Sequence, residues 1–241
     1  MKVTPYGSSS GTKKEQVTSM FNRIASSYDF LNRFLSLGID IYWRKRAIAL
    51  LKPIKPRKIL DVATGTADVA IEMSKRLQPE KIIGLDISEQ MLEVGQKKVT
   101  KANLNKVITL QVGDSEQLPF SDYQFDAITV AFGVRNFENL DKGIQEMYRT
   151  LDENGHLLVL EFSKPTLFPF KQLFNFYFKY ILPLIGRLSS NDNRAYQYLY
   201  ESVQAFPDGE AFLDIMRKCG FKNPQQVPLT FGICSIYKGI K

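Results

Sequence analysis

The chain has 241 residues, 44% of them hydrophobic and 24% charged, with a net charge of +7 and a pI of about 9.2. Those proportions suit one α/β domain with an elaboration and argue against wholesale disorder. A single histidine, His156, argues against a histidine-based zinc centre, the cysteines Cys219 and Cys234 lack metal-type spacing, and the basic residues, scattered apart from Arg44-Lys45-Arg46, accompany no nucleic-acid module.

Residues 1–14 are rich in Ser, Gly and Lys without an apolar core, which predicts a flexible arm rather than a signal peptide. No apolar run reaches the roughly 18 residues of a spanning helix, so the expected location is the cytoplasm, with the inner face of the cell membrane as the alternative. Residues 15–241 are expected to form one domain, with a helical cap over about 15–52 and an insertion over about 164–206. From Val17 to Leu51 the positions Met20, Phe21, Ile24, Tyr28, Leu31 and Leu35 recur at helical steps. Gly38 and Asp40 suggest a break before a second helix carrying Trp43, and Pro53 and Pro56 end the cap.

Strands and helices then alternate. Strands are predicted at Lys58–Val62, Ile82–Ile87, Val107–Val112, Phe125–Phe132 and Leu157–Phe162. Helices are predicted at Val69–Leu77, from Ser88 to about Lys101, and through Ile144 and Met147. Continuous apolar strands between amphipathic helices indicate a parallel sheet covered on both faces. Leu167–Leu188 interrupts the rhythm with an aromatic-rich stretch. A helix resumes at Phe212–Cys219, and Gln226–Tyr237 resembles a closing strand pair.

The first strand ends in Asp61-Val62-Ala63-Thr64-Gly65-Thr66-Ala67-Asp68. Its one glycine permits a sharp turn and close approach of a ligand, but the three glycines of a dinucleotide fingerprint are not there. A ligand with less phosphate and more nucleoside fits better. Asp86, about twenty residues on, offers two acceptor oxygens to ribose hydroxyls; its alternative reading is a helix N-terminal residue before Ser88. After the third strand, Asp114 can accept from an adenine amino group and the Ser115 N–H can donate to a ring nitrogen, or the pair is a plain strand-end turn.

This order of glycine turn, ribose acid and adenine acid at successive strand ends resembles class I S-adenosylmethionine-dependent methyltransferases. More specifically, Phe21-Asn22-Arg23-Ile24-Ala25-Ser26-Ser27-Tyr28-Asp29 with Asn32 resembles the N-terminal signature of the ubiquinone/menaquinone biosynthesis C-methyltransferases. Phe132-Gly133-Val134-Arg135-Asn136, Leu160-Glu161-Phe162-Ser163-Lys164-Pro165, Leu182-Pro183-Leu184-Ile185-Gly186 and Phe231-Gly232-Ile233 match as well. The resemblance implies a Rossmann-like class I methyltransferase fold. That is a seven-stranded, mostly parallel sheet with helices on both faces, an N-terminal helical cap and an aromatic-rich helical insertion after the fifth strand. It implies S-adenosyl-L-methionine as cofactor, held by Asp61, Gly65, Thr66, Asp86, Ile87, Asp114 and Ser115, with no metal. Ala67 stands where many relatives carry a second glycine, Asp114 where asparagine is frequent, and Ala131 where some place a serine. These departures lean toward the menaquinone-type members.

The implied reaction is C-methylation of a prenylated quinol, demethylmenaquinol first, with a ubiquinone-pathway benzoquinol or another hydrophobic phenol as alternatives. Alignment supplies much of the help in such an in-line displacement. A phenolic hydroxyl titrates near 10, so the site must stabilise a phenolate-like oxygen. Arg135, permanently cationic just past the fourth strand, is the leading catalytic candidate, although a structural arginine on loop carbonyls is the plainer account. Tyr28, Asp29 and Asn32 are candidates to cap the substrate and order a water. Glu161 is a candidate proton acceptor or a partner for Lys164. His156 is expected at the wrong end of its strand.

In Phe168–Ile181, the polar Lys171, Gln172, Asn175 and Lys179 fall within one narrow arc and the remaining perimeter is apolar. This reads as a buried cap helix or as a wall for a polyprenyl tail with peripheral contact at an anionic bilayer. A non-enzymatic cofactor-binding protein is the rival from another class, and an oligomer is left open.

Overall fold

The computed structural model describes residues 3–7, 10–177, 180 and 193–241. Three helices come first: α1 (Lys13–Ile24), α2 (Tyr28–Leu35) and α3 (Ile39–Ala49). Thr12 caps α1 in a reciprocal box with Glu15, which satisfies two backbone donors at the helix start. Lys13 and Lys14, expected in a flexible arm, therefore belong to a helix. Upstream, Val3 and Tyr6 pack against Val17 and Met20 of α1.

There follow β1 (Lys58–Val62), α4 (Asp68–Leu77), β2 (Lys81–Asp86), α5 (Glu89–Lys101), β3 (Ile108–Val112), β4 (Phe125–Ala131), α6 (Leu140–Thr150) and β5 (Leu151–Phe162). After β5 come α7 (Phe170–Phe176), α8 (Asn193–Ala205), α9 (Glu210–Lys218), β6 (Lys222–Leu229) and β7 (Cys234–Ile240). The seven strands lie in the order β3-β2-β1-β4-β5-β7-β6. All neighbours are parallel except β7, which runs antiparallel to β5 and β6. This is the mostly parallel sheet the sequence implies, with the closing pair one hairpin at its edge.

β1 sits at the reversal in strand order, and its alternating side chains reach both faces. Leu60 and Val62 join the core beneath Ile144 and Met147 of α6 and Phe212 and Met216 of α9. Ile59 joins Trp43 and Ile48 of α3, Met73 of α4 and Val99 of α5 on the other face. Each fully buried side chain of this size contributes about 1.5–3 kcal/mol, so both helical layers are bound firmly to the strands. The reversal also opens a crevice at the carboxyl ends of β1 and β4, where ligands bind in open α/β sheets.

The helix expected to reach Ile181 is described as far as Phe176, with Tyr177 as its C-cap. Phe178, Lys179, Ile181 and the Leu182–Gly186 motif lie outside the described residues. No described helix is long and apolar enough to cross a membrane.

Candidate active site

The turn after β1 is a succession of left-handed residues: Ala63 (φ 54°), Gly65 (φ 55°) and Ala67 (φ 64°). Such values strain any residue with a Cβ by about 1 kcal/mol or more. Two hydroxyls help hold the turn. Thr64 Oγ1 and Thr129 Oγ1 donate to the Asp61 carboxylate at 2.7 and 2.6 Å. Asp61 is 1% exposed, and burial pushes its carboxyl up to about 6 against those hydrogen bonds.

Next to the turn lies a cleft lined by Gly65, Asp86, Ile87, Gly113, Asp114 and Ser115, and by Lys14 and Phe21 of α1. The Asp86 carboxylate accepts the Gly65 N–H at 2.8 Å and the Ser88 N–H at 2.9 Å. Burial raises its pKa while those backbone bonds oppose the rise. The Ile87 N–H also bonds this carboxylate, which still keeps acceptor capacity for a further donor. A Cβ built on Gly65 would stand 4.0 Å from the Tyr28 ring, another lining residue; the bare glycine keeps that gap open to a ligand.

Of the seven cofactor residues expected, Gly65, Asp86, Ile87, Asp114 and Ser115 line this cleft and Asp61 and Thr66 do not. Asp61 lies beneath the turn. Thr66 Oγ1 donates to Asp29 Oδ1 at 2.5 Å, and Lys98 Nζ donates to both. Lys98 also pairs with Asp68, which Arg44 meets at 2.6 Å. Asp29, expected near the substrate, is thus turned into an ion network joining α2 to α4 and α5. The site also contains a residue the sequence reading missed. Lys14 reaches Asp114 Oδ2 at 2.6 Å and Glu116 Oε2 at 3.3 Å. The Thr12-x-x-Glu15 capping signature was the available signal, since it starts a helix whose first turn faces the cleft.

Tyr28 and Phe132 line this cleft and also a chamber of about 570 Å³. Its walls are mostly apolar and aromatic, with Phe162, Phe170, Leu173, Phe174 and Tyr177 contributing. Tyr28, Asn32 and Arg135 face into it, as do Asp40 and Arg44 of α3. Asn32 stands beside the Tyr28 hydroxyl, whose pKa burial raises while Asn32 and the charges of Arg135 and Arg44 oppose the rise.

Arg135 sits in the 3₁₀ turn Val134–Asn136 after β4. Its Nη1 donates to Glu161 Oε1 and to the Phe132 carbonyl, both at 2.6 Å. Phe132 itself is left-handed at φ 58°, so the guanidinium helps fasten a strained turn. The guanidinium carbon lies 5.5 Å from the centroid of the Phe162 ring. Glu161 is fully buried, which raises its pKa against the Arg135 charge. Glu161 therefore pairs with Arg135 and not with Lys164, which pairs with Asp208 at 2.8 Å. His156 lies in the register pair with Ala127, early in β4 and far from the cleft end.

The arrangement is a nucleoside-sized cleft and an oily chamber that meet at Tyr28 and Phe132, with a pinned cation, Arg135, on the chamber side. Residues 9–241 match the model of the "ubiE/COQ5 methyltransferase family". The chain is 52% identical over 240 residues to the demethylmenaquinone methyltransferase of Bacteroides fragilis, covering 100% of this chain and 98% of that protein. It is 46% identical over 230 residues to the ubiquinone/menaquinone biosynthesis C-methyltransferase UbiE of Geotalea daltonii, covering 95% and 97%. In fold it is similar to a SAM-dependent methyltransferase of Thermotoga maritima, with a TM-score of 0.66, 20% identity, and coverage of 93% and 99%.

Proposed function

This chain belongs to the ubiE/COQ5 methyltransferase family, and on that footing we infer that it transfers a methyl group from S-adenosyl-L-methionine to a ring carbon of demethylmenaquinol, giving menaquinol. The observation that carries the reading is the shared wall. Tyr28 and Phe132 border both the cleft and the chamber, so a donor in one meets an aromatic acceptor in the other.

The cleft suits the cofactor. Asp86 retains acceptor capacity for ribose hydroxyls, Asp114 and Ser115 stand at the far strand end for a base, and Gly65 leaves its backbone bare for close approach. When bound, S-adenosyl-L-methionine supplies an electrophilic methyl group on a sulfonium. Asp61 and Thr66 act indirectly, by fixing the turn that Gly65 occupies.

The chamber's residues divide the remaining work. Arg135 presents a permanent positive charge at the place where the quinol oxygen becomes anionic, and charge held ready in a dry site is worth far more than in water. Tyr28 and Asn32 border the same space and hold the ring against the cleft. Phe170, Leu173, Phe174 and Tyr177 form a wall for a prenyl tail. Leu37 and Leu173, which also line the chamber, are 88% and 59% exposed, and an oily substrate enters there from a bilayer that the protein meets peripherally.

A labelled-methyl assay with demethylmenaquinol and the benzoquinol precursor of ubiquinone in parallel tests the assignment. Label in menaquinol is the expected result; the second arm is included because relatives such as that of Geotalea daltonii carry both pathways in their names. Absence of label from both products overturns it.

A further inference from the structure

The two spaces of the site are walled by separate pieces of chain. Gly65, in the turn after β1, borders the cleft, Asn32 of α2 borders the chamber, and Tyr28, the first residue of α2, borders both. Methyl transfer needs the turn and the helix at a fixed spacing, because an in-line displacement tolerates little misalignment. Strand pairing cannot set that spacing, since α2 lies outside the sheet.

Lys98 of α5 joins the two. Its ammonium carries three hydrogens and donates to oxygens on three segments: Asp29 Oδ2 of α2 at 2.7 Å, Thr66 Oγ1 of the turn at 3.1 Å, and Asp68 Oδ1 at the start of α4. The other Asp29 oxygen accepts the Thr66 hydroxyl at 2.5 Å. Asp29 follows Tyr28 and Thr66 follows Gly65 in the sequence, so the ammonium ties together the neighbours of the two walls. Both acids stand in the first turns of their helices, where unpaired N–H groups favour negative charge. Burial alone would raise the Asp68 carboxyl, but Arg44 and Lys98 beside it bring it below the usual carboxylate range.

Gly95 serves the same contact. A Cβ built there would stand 3.1 Å from the Thr66 carbonyl carbon and 3.3 Å from the Ala67 Cβ, so only a glycine lets α5 lie this close to the turn. Lys98, three residues on and on the same helix face, is thereby brought within reach of Thr66 and Asp29.

Lys98, Asp29, Thr66 and Asp68 line neither the cleft nor the chamber. Resting on the methyl-transfer reading above, we propose that Lys98 is a positioning residue: its ammonium sets Tyr28 against the cofactor turn and so aligns the quinol ring with the methyl group. The side chains of Lys98, Asp29 and Asp68 are 28%, 36% and 25% exposed. Pairs so exposed add little to stability, and the ammonium therefore acts on alignment more than on folding.

The test measures kcat on a short-chain demethylmenaquinol, cofactor Kd by titration calorimetry, and quinol Kd by quenching of Trp43, the chain's single tryptophan and a chamber residue. Lys98→Met keeps the stem and removes the charge. It is expected to lose about 10- to 100-fold in kcat while both Kd values stay within about threefold of wild type. Lys98→Cys is expected to share the defect. Alkylation by bromoethylamine, in which the cysteine sulfur displaces bromide, restores an ammonium at lysine length and is expected to recover most of the turnover of identically treated wild type. A packing fault is not repaired in that way. Wild-type kcat in Lys98→Met, a loss that appears in cofactor Kd instead of kcat, or no recovery on alkylation overturns the positioning role and leaves the methyl-transfer assignment standing. A wild-type protein that methylates no quinol overturns both.

Discussion

Arg135 and Glu161 face each other across 2.6 Å with side chains 4% and 0% exposed. Removing one partner of such a buried pair leaves an uncompensated charge and costs about 3–5 kcal/mol. Arg135→Ala is therefore expected to destabilise the fold by that order and, separately, to reduce turnover by about 100-fold or more. Its effect on cofactor affinity is expected to stay within about threefold, because Arg135 does not line the cleft. The double variant Arg135→Met/Glu161→Leu separates the two roles. Replacing a buried pair by apolar side chains is often neutral or stabilising, so urea denaturation is expected to show recovered stability while turnover stays lost. Full turnover in Arg135→Ala removes this residue from the mechanism.

Asp61 makes stability depend on pH in a direction opposite to a salt-bridged carboxylate. Its carboxyl titrates near 6 in the fold and near 3.9 in an unfolded chain. Between those values the native state holds the proton and the unfolded state has released it, so stability falls as pH rises from about 4 to about 6. The full difference amounts to about 3 kcal/mol. Asp61→Asn, which accepts from one threonine hydroxyl and donates its amide to the other but carries no charge, is expected to flatten that part of the profile. Urea midpoints at pH 4, 5, 6 and 7 for both proteins measure it, and an unchanged slope in the variant contradicts the assignment.

The sheet was legible because its central strands are buried on both faces and read as unbroken apolar runs. Its edges were less so. β6 carries Pro224 and Pro228 and four exposed positions, Lys222, Asn223, Gln225 and Pro228, a pattern that an edge strand tolerates and that reads as loop in isolation. β5 begins at Leu151, ahead of the expected Leu157, because its first residues pass through the polar stretch Asp152–Gly155. In the site, Asp86 was legible as the last residue of its strand, and Asp114 and Arg135 from their places just beyond strand ends. The pairing of Asp29 with Thr66 was not, because 37 residues separate them and neither side chain's neighbours follow from local periodicity. Lys14 was hidden by composition: a polar N-terminal segment looks like an arm until its capping box is read as a helix start.

Both oxygens of Asp114 are engaged: Oδ2 by Lys14 at 2.6 Å and Oδ1 by the Glu116 N–H at 2.9 Å. Each oxygen retains a lone pair, but Lys14 lines the same cleft and competes with an adenine amino group for the carboxylate. The two side chains are 32% and 30% exposed, and a pair so close to solvent is worth about 1 kcal/mol or less. Lys14→Ala is thus expected to tighten cofactor binding by up to about fivefold. Added salt, which screens the pair, should move the wild type in the same direction and leave the variant less affected. Calorimetric titrations at low and high ionic strength check this; weaker binding in Lys14→Ala would instead make Lys14 a contact of the bound cofactor.

The exposed apolar residues give a further measurable consequence. Leu37 and Leu173 border the chamber, and Phe168, 80% exposed, immediately precedes the segment leading into α7. Phe231, 62% exposed, stacks on the chamber residue Phe170 at 3.8 Å between ring centroids. Seating each large side chain in a bilayer interface removes apolar area worth about 1.5–3 kcal/mol when burial is complete. The exposed Lys171 of α7 adds attraction for anionic headgroups. The protein is expected to float with vesicles containing phosphatidylglycerol and less with neutral ones. Leu37→Ser/Phe168→Ser should lower the bound fraction at least several-fold while leaving cofactor affinity unchanged, because neither residue lines the cleft. Methylation of a water-soluble short-chain quinol should be retained in that variant and methylation of vesicle-borne quinol reduced. Equal flotation of variant and wild type would show that the bilayer meets another face.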